Sequence, residues 1–74
     1  MTDNTMHMFN VVADTVAMAR QRLLQGEYES ARVLLEGAQN SYRRYRHEIE
    51  RYGNTEELAY AIQDTQAALE ERTR

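Results

Sequence analysis

The chain has 74 residues, which makes one domain at most, with a small core that is marginal by itself. It contains no cysteine, which excludes disulfides, thiolate metal sites and cysteine nucleophiles. The net charge of −3 argues against a general nucleic-acid-binding protein, and no apolar run approaches the roughly 20 residues that span a bilayer.

The first predicted helix covers residues 5–25. Its apolar residues recur at spacings of three and four, which places them on one helix face: Phe9, Val12, Val16, Ala19 and Leu23. Gly26 follows, and glycine adopts the left-handed conformation at the end of a helix at the least cost. We therefore predict that the first helix stops before Gly26.

The second predicted helix, residues 27–52, has the most regular pattern in the chain. Eight residues keep the spacing of three and four without interruption: Tyr28, Ala31, Leu35, Ala38, Tyr42, Tyr45, Ile49 and Tyr52. A helix of this length would be on the order of 39 Å long. Gly37 lies inside it and costs about 1 kcal/mol relative to alanine, which predicts that another segment packs closely there. Gly53 is predicted to end the helix.

The third predicted helix covers residues 54–71. Asn54 and Glu57 have the spacing of an N-cap residue and its capping-box partner. An apolar stripe follows, formed by Leu58, Ile62, Thr65 and Leu69. Residues 1–4 and 72–74 are predicted to fray. Because short connections make neighbouring helices antiparallel, we predict an all-α fold, an up-down-up bundle of three helices in a single domain over residues 1–74.

The residues around the first turn resemble a tetratricopeptide-type helical hairpin. That motif has a glycine in the turn, an aromatic residue two positions on, and then small, large and small residues, here Gly26, Tyr28, Ala31, Leu35 and Ala38. Met18 and Ala19 stand where the motif has a large and then a small residue. Arg22 and Arg43 depart from it, since an aromatic residue and a proline are usual there. No second copy follows, whereas an array needs about three repeats.

The long second helix, the third helix and the total length are also similar to the microtubule-interacting-and-transport domain, a three-helix binder of peptide helices. Both resemblances imply a helical protein that binds another protein. Neither assigns site residues, because similarity of fold does not define a binding site.

No residue set in the sequence has the spacing of a catalytic or metal site. His7 and His47 stand 40 residues apart, and neither has a second histidine or a cysteine nearby. Ser30 and Ser41 have no histidine near them in sequence, and no glycine-rich phosphate loop is present. We therefore predict that the protein is not an enzyme and needs no cofactor or metal.

Residues 42–52 interleave arginine with tyrosine. Three interpretations fit this stretch: contacts to the phosphates and bases of a nucleic acid, a core seam of tyrosines with a solvated arginine face, or a protein-binding surface, since both residue types are favoured at interface hot spots. On the last interpretation, the predicted partner-binding residues are Tyr42, Arg43, Tyr45, Arg46, Ile49 and Tyr52.

The sequence thus favours a small protein–protein interaction module, such as an adaptor, co-chaperone or inhibitor. It would bind its partner through a helix groove or through the Tyr/Arg-rich end of the second helix. The alternative is a small nucleic-acid-associated regulator that uses residues 42–52.

We also expect a homodimer, because the small core has no disulfide or metal, and the seam through Tyr45, Ile49 and Tyr52 could form its surface. Residues 1–8 contain an acid and no Lys or Arg, unlike a targeting peptide, so a cytoplasmic location without a membrane partner is expected.

Overall fold

The computed structural model describes residues 4–52 and 55–74, with the side chains of residues 7–51 and 55–74. Within these residues the chain is helical and contains no strand. The helices are α1 (Asn4–Leu24), α2 (Tyr28–Arg44), α3 (Arg46–Tyr52) and α4 (Thr55–Arg72). The prediction of an all-α chain is confirmed.

The first helix ends at the predicted turn. Gly26 has a φ of 81°, in the left-handed region that favours glycine. Its amide donates to the Leu23 carbonyl at 3.1 Å, and the Glu27 amide donates to the Arg22 carbonyl at 2.9 Å. These two bonds form a Schellman motif, which satisfies carbonyls that the end of a helix would otherwise leave unpaired. The predicted stop at Gly26 is confirmed.

The predicted continuous helix over residues 27–52 is instead divided at Tyr45. Tyr45 has φ −109° and ψ 23°, outside the helical range. Its amide donates to the Ser41 carbonyl at 2.9 Å, and its own carbonyl accepts from the Ile49 amide at 2.9 Å. The chain therefore bends at this residue while bonds of helical spacing continue on both sides of it. After the bend, α3 packs against α1.

A single apolar core joins the helices. It consists of Val12, Val16, Ala19 and Leu23 from α1, Ala31, Leu35 and Ala38 from α2, Ile49 from α3, and Leu58, Ile62 and Leu69 from α4. The most extensive contact is between α1 and α2, and α4 packs against both of them. Among the described side chains Thr65 is the one buried polar residue, and its hydroxyl donates to the Ala61 carbonyl at 2.7 Å. That bond removes most of the cost of burying a hydroxyl.

The predictions for Gly37 and for the helix ends have different outcomes. Gly37 lies exposed on α2, and a Cβ built on it would meet nothing within 4 Å, so the expected close packing there is wrong for the described chain. Residues 1–3, Gly53 and Asn54 lie outside the described residues. The predicted helix stop at Gly53 and the predicted N-cap at Asn54 therefore fall outside them too. At the other end α4 continues to Arg72, and Thr73 donates its amide and hydroxyl to the Leu69 carbonyl at 3.0 and 2.8 Å.

None of the helices in the described ranges combines the length and the apolar character that crossing a bilayer would require.

Candidate functional site

A groove of about 420 Å³ lies between α4 and the segment where α2 passes into α3. Its lining consists of Gln39, Tyr42, Arg43, Arg46, Ala59, Ile62, Gln63 and Gln66. Three of the six predicted partner-binding residues, Tyr42, Arg43 and Arg46, are therefore brought together on one wall.

That wall combines a half-buried ring with two exposed guanidinium groups. Tyr42 is partly buried against the core, and Arg43 beside it is exposed. Arg46 donates from Nε to Oε1 of Glu50 at 2.7 Å, one turn along α3. This hydrogen bond, and secondarily the negative charge of Glu50, raise the pKa of Arg46 above its ordinary value. The pair is exposed to solvent, so its main effect is to orient the guanidinium rather than to stabilise the fold.

The opposite wall and the floor come from α4. Ala59 and Ile62 supply apolar surface, while Gln63 and Gln66 supply amides. Gln39 donates from Nε2 to Oε1 of Gln66 at 2.7 Å, which links α2 to α4. The same two glutamines also line a smaller hollow of about 250 Å³ further along these helices. The amide pair thus divides the α2–α4 interface into two depressions.

The charge of the groove is opposite to that of the chain. Its lining contains two arginines and no carboxylate, whereas the protein as a whole carries a net charge of −3. Glu50 is engaged by Arg46, and no described acidic side chain pairs with Arg43. The groove therefore presents a locally cationic surface above an apolar floor.

The remaining predicted site residues lie elsewhere. Tyr45 is half-buried against the core, with the guanidinium carbon of Arg44 5.6 Å from its ring centroid, within cation–π range. Ile49 is 0% exposed, because the bend at Tyr45 turns it into the core. Ile49 is thus a core residue and not a surface contact, which corrects its assignment both to a binding site and to a dimer surface. The side chain of Tyr52 lies outside those described.

Sequence reasoning missed the α4 side of the groove. Ala59, Gln63 and Gln66 recur at spacings of four and three, so a shared helix face could have been inferred for them. Nothing in their types marked that face as functional.

No group of three or more His, Cys, Asp or Glu side chains in residues 7–51 and 55–74 lies close enough to hold a metal ion. In the same residues, no buried side-chain nitrogen or oxygen is left without a hydrogen-bond partner.

Comparisons with protein-family models, with curated proteins and with solved structures found no match to the chain.

Proposed function

We propose that the protein is a small interaction module that binds a segment of a partner protein in the groove between α2, α3 and α4. The observation that carries the proposal is the composition of the groove: an apolar floor, a half-buried tyrosine and two arginines facing solvent. Binding grooves for helical or extended segments are built in this way, with apolar surface for affinity and a few polar groups for orientation.

The two arginines are suited to this role in different ways. Arg46 is held by Glu50 at 2.7 Å, so less side-chain entropy is lost when a ligand orders it. Among the described side chains Arg43 has no ion-pair partner, which leaves its guanidinium open to a ligand. Tyrosine and arginine are also the residue types that most often dominate interface energetics.

The charge of the lining indicates the chemistry of the partner. With two arginines and no carboxylate in the groove, a bound segment that carries acidic side chains beside its apolar ones gains electrostatic complementarity. The proposed ligand is therefore an acidic amphipathic segment of another protein.

The proposal extends to the architecture and the biological role. We take the helices to form an up-down-up bundle over residues 1–74, with α2 and α3 as one bent arm, built on a tetratricopeptide-like hairpin. The short turn at Gly26 supports antiparallel neighbours, and the buried Ala31, Leu35 and Ala38 have the sizes such a hairpin contact needs. A cytoplasmic adaptor, co-chaperone or inhibitor is the corresponding role.

The alternative function is binding of nucleic acid through residues 42–52. The exposed arginines of that stretch favour it, namely Arg43, Arg44, Arg46 and Arg51. However, Tyr42 and Tyr45 are partly buried in the core, so their rings offer little free face for stacking on bases. Protein binding is therefore preferred.

A displayed library of random peptides, selected on the wild-type chain, tests the proposal. Selected peptides should combine apolar and acidic residues. Arg43→Glu should weaken the binding of a selected peptide by about tenfold or more, as expected for an interface arginine. Arg20→Glu, an equal charge change at an exposed position of α1, is the matched control and should leave binding unchanged.

Two results would contradict the proposal. The first is a set of selected peptides whose binding is equally insensitive to Arg43→Glu and Arg20→Glu. The second is tighter binding of a single-stranded oligonucleotide than of any selected peptide, with an affinity that falls steeply with salt, which is the signature of phosphate contacts.

A further inference from the structure

A second groove lies between α1 and α2, and no residue of α3 or α4 lines it. It has a volume of about 460 Å³ and is lined by Met18, Arg22, Glu29, Ser30, Val33 and Leu34. Met18 is 47% exposed and Val33 65% exposed, so large apolar side chains from two neighbouring helices face solvent at this groove. Such adjoining apolar surface is a candidate interaction surface.

The face continues along both helices away from the turn at Gly26, where it carries the exposed Asp14 as well as uncharged residues. On α1, Val11 and Thr15 precede Met18 at spacings that keep them on the same face, and Val11 is 36% exposed. On α2, Gly37 continues the face that contains Ser30 and Val33. Nothing in the described chain lies within 4 Å of a Cβ placed on Gly37, so its backbone is open to close approach from outside.

We propose that this α1–α2 face is the contact between two copies of the chain. A two-fold contact pairs one surface patch with itself, so projections and recesses must both lie on the same patch. Met18 and Val33 project from this face, whereas Ser30 and Gly37 leave recesses on it. One copy can therefore place its projecting side chains over the recesses of the other.

The charges beside the patch select the same occupant. Arg22 and Glu29 both border the groove, so a partner of a single charge sign would be attracted by one and repelled by the other. A second copy offers both signs, and the Glu29 carboxylate of one copy faces the Arg22 guanidinium of the other. Arg22 already bonds to Glu27 through Nη1 at 3.2 Å, but a guanidinium has five N–H donors and retains others for this contact.

The dimer is independent of the proposed peptide groove. The two grooves share no lining residue, so both can be occupied at once. The dimer also supplies stabilisation that a chain of this size gains when its exposed apolar face is covered.

Light scattering across a wide concentration range tests the proposal. The wild-type mass should rise from 8.7 kDa toward twice that value as concentration increases. Val33→Glu should raise the dissociation constant by about tenfold or more, because it places a charge at the centre of an apolar contact. Met18→Glu should act in the same way.

Tyr60→Glu is the matched control. Tyr60 is 63% exposed, almost the same as Val33, but lies on α4 away from this face, so the variant should dimerise like the wild type. Circular dichroism should show that each variant keeps its helical spectrum, since the replaced side chains are exposed. A wild type that stays monomeric up to about 1 mM, the weak end of the usual affinity scale, overturns the proposal. So does a folded Val33→Glu variant that dimerises as the wild type does.

Discussion

At the scale of single residues, Gly26 and Gly37 differ in backbone conformation, so the same substitution should have opposite effects on stability at the two positions. Gly26 has a φ of 81° at the end of α1, where an added Cβ strains the backbone by about 1–2 kcal/mol. Gly37 lies inside α2 with open space around it, and alanine is better than glycine in a helix by about 1 kcal/mol. Gly26→Ala should therefore destabilise the protein, and Gly37→Ala should stabilise it.

Urea unfolding followed by circular dichroism measures both effects. The experiment belongs at low protein concentration, because Gly37 lies on the proposed dimer face. The two variants control for each other, since the chemical change is the same and only the backbone conformation differs. A loss of stability in Gly37→Ala at low concentration would mean that a neighbour approaches this glycine within the monomer.

The expectation of close packing at Gly37 failed for a reason visible in the spacing of residues. Ala31, Leu35 and Ala38 define the buried face of α2, and Gly37 does not share their three–four spacing. The energetic cost of a helical glycine indicates that some contact or constraint favours glycine at that position. That cost does not distinguish a contact within the same chain from a contact with a partner.

At the scale of helices, periodicity together with Gly26 was sufficient for the turn between α1 and α2 and for the end of α4. The apolar stripes of α1 and α4 become buried, except for Phe9, which is half-buried, and the turn at Gly26 follows from the left-handed conformation. The bend at Tyr45 could not be found in this way. The spacing of Tyr42, Tyr45 and Ile49 continues through it, with no glycine or proline to interrupt the helix. The packing of α3 against α1 is a long-range contact, and local spacing carries no information about it.

For the same reason, only one of the two walls of the groove could be predicted from the sequence. The interleaved tyrosine and arginine marked the α2–α3 wall. The α4 wall reaches it through a contact such as Gln39 to Gln66, 27 residues apart in the chain. Two amides at that separation have no signature in the sequence.

The bend makes Ile49 a test of how α3 is held. Ile49 is fully buried, so Ile49→Ala should lower the free energy of unfolding by about 2–5 kcal/mol, the usual cost of truncating a buried side chain. Leu24→Ala is the control, because Leu24 is 77% exposed and such a change usually stays within about 0.5 kcal/mol. Both are measured by urea unfolding. Equal stabilities for the two variants would show that α3 does not pack on α1 in solution.

At the scale of the whole molecule, the four helices share one core. The described chain is elongated, with extents of 43 × 19 × 16 Å, yet its buried apolar residues form one cluster to which every helix contributes. All the described buried apolar residues belong to that cluster, so no helix packs on a core of its own. A structure of this kind is expected to unfold in a single cooperative transition.

Removal of α4 should therefore abolish cooperative folding rather than shorten the protein by one element. Leu58, Ile62 and Leu69 cover the core from α4, and without them a chain of residues 1–52 would expose the buried face of the α1–α2 pair to water. Too little apolar surface would then remain buried to offset the conformational entropy of ordering the helices. The truncated chain should lose most of its helical circular dichroism and its sigmoidal urea transition.

When a peptide of residues 55–72 is added to the truncated chain, part of the helical signal should return. The signal of the mixture should exceed the sum of the signals of the two separate components. A peptide of the same composition in scrambled order is the control and should restore none, because its apolar residues no longer share one face. A truncated chain that unfolds with the same midpoint as the full protein would mean that α1 to α3 fold by themselves. In that case α4 would be a removable wall of the groove, and its displacement would open the proposed binding site.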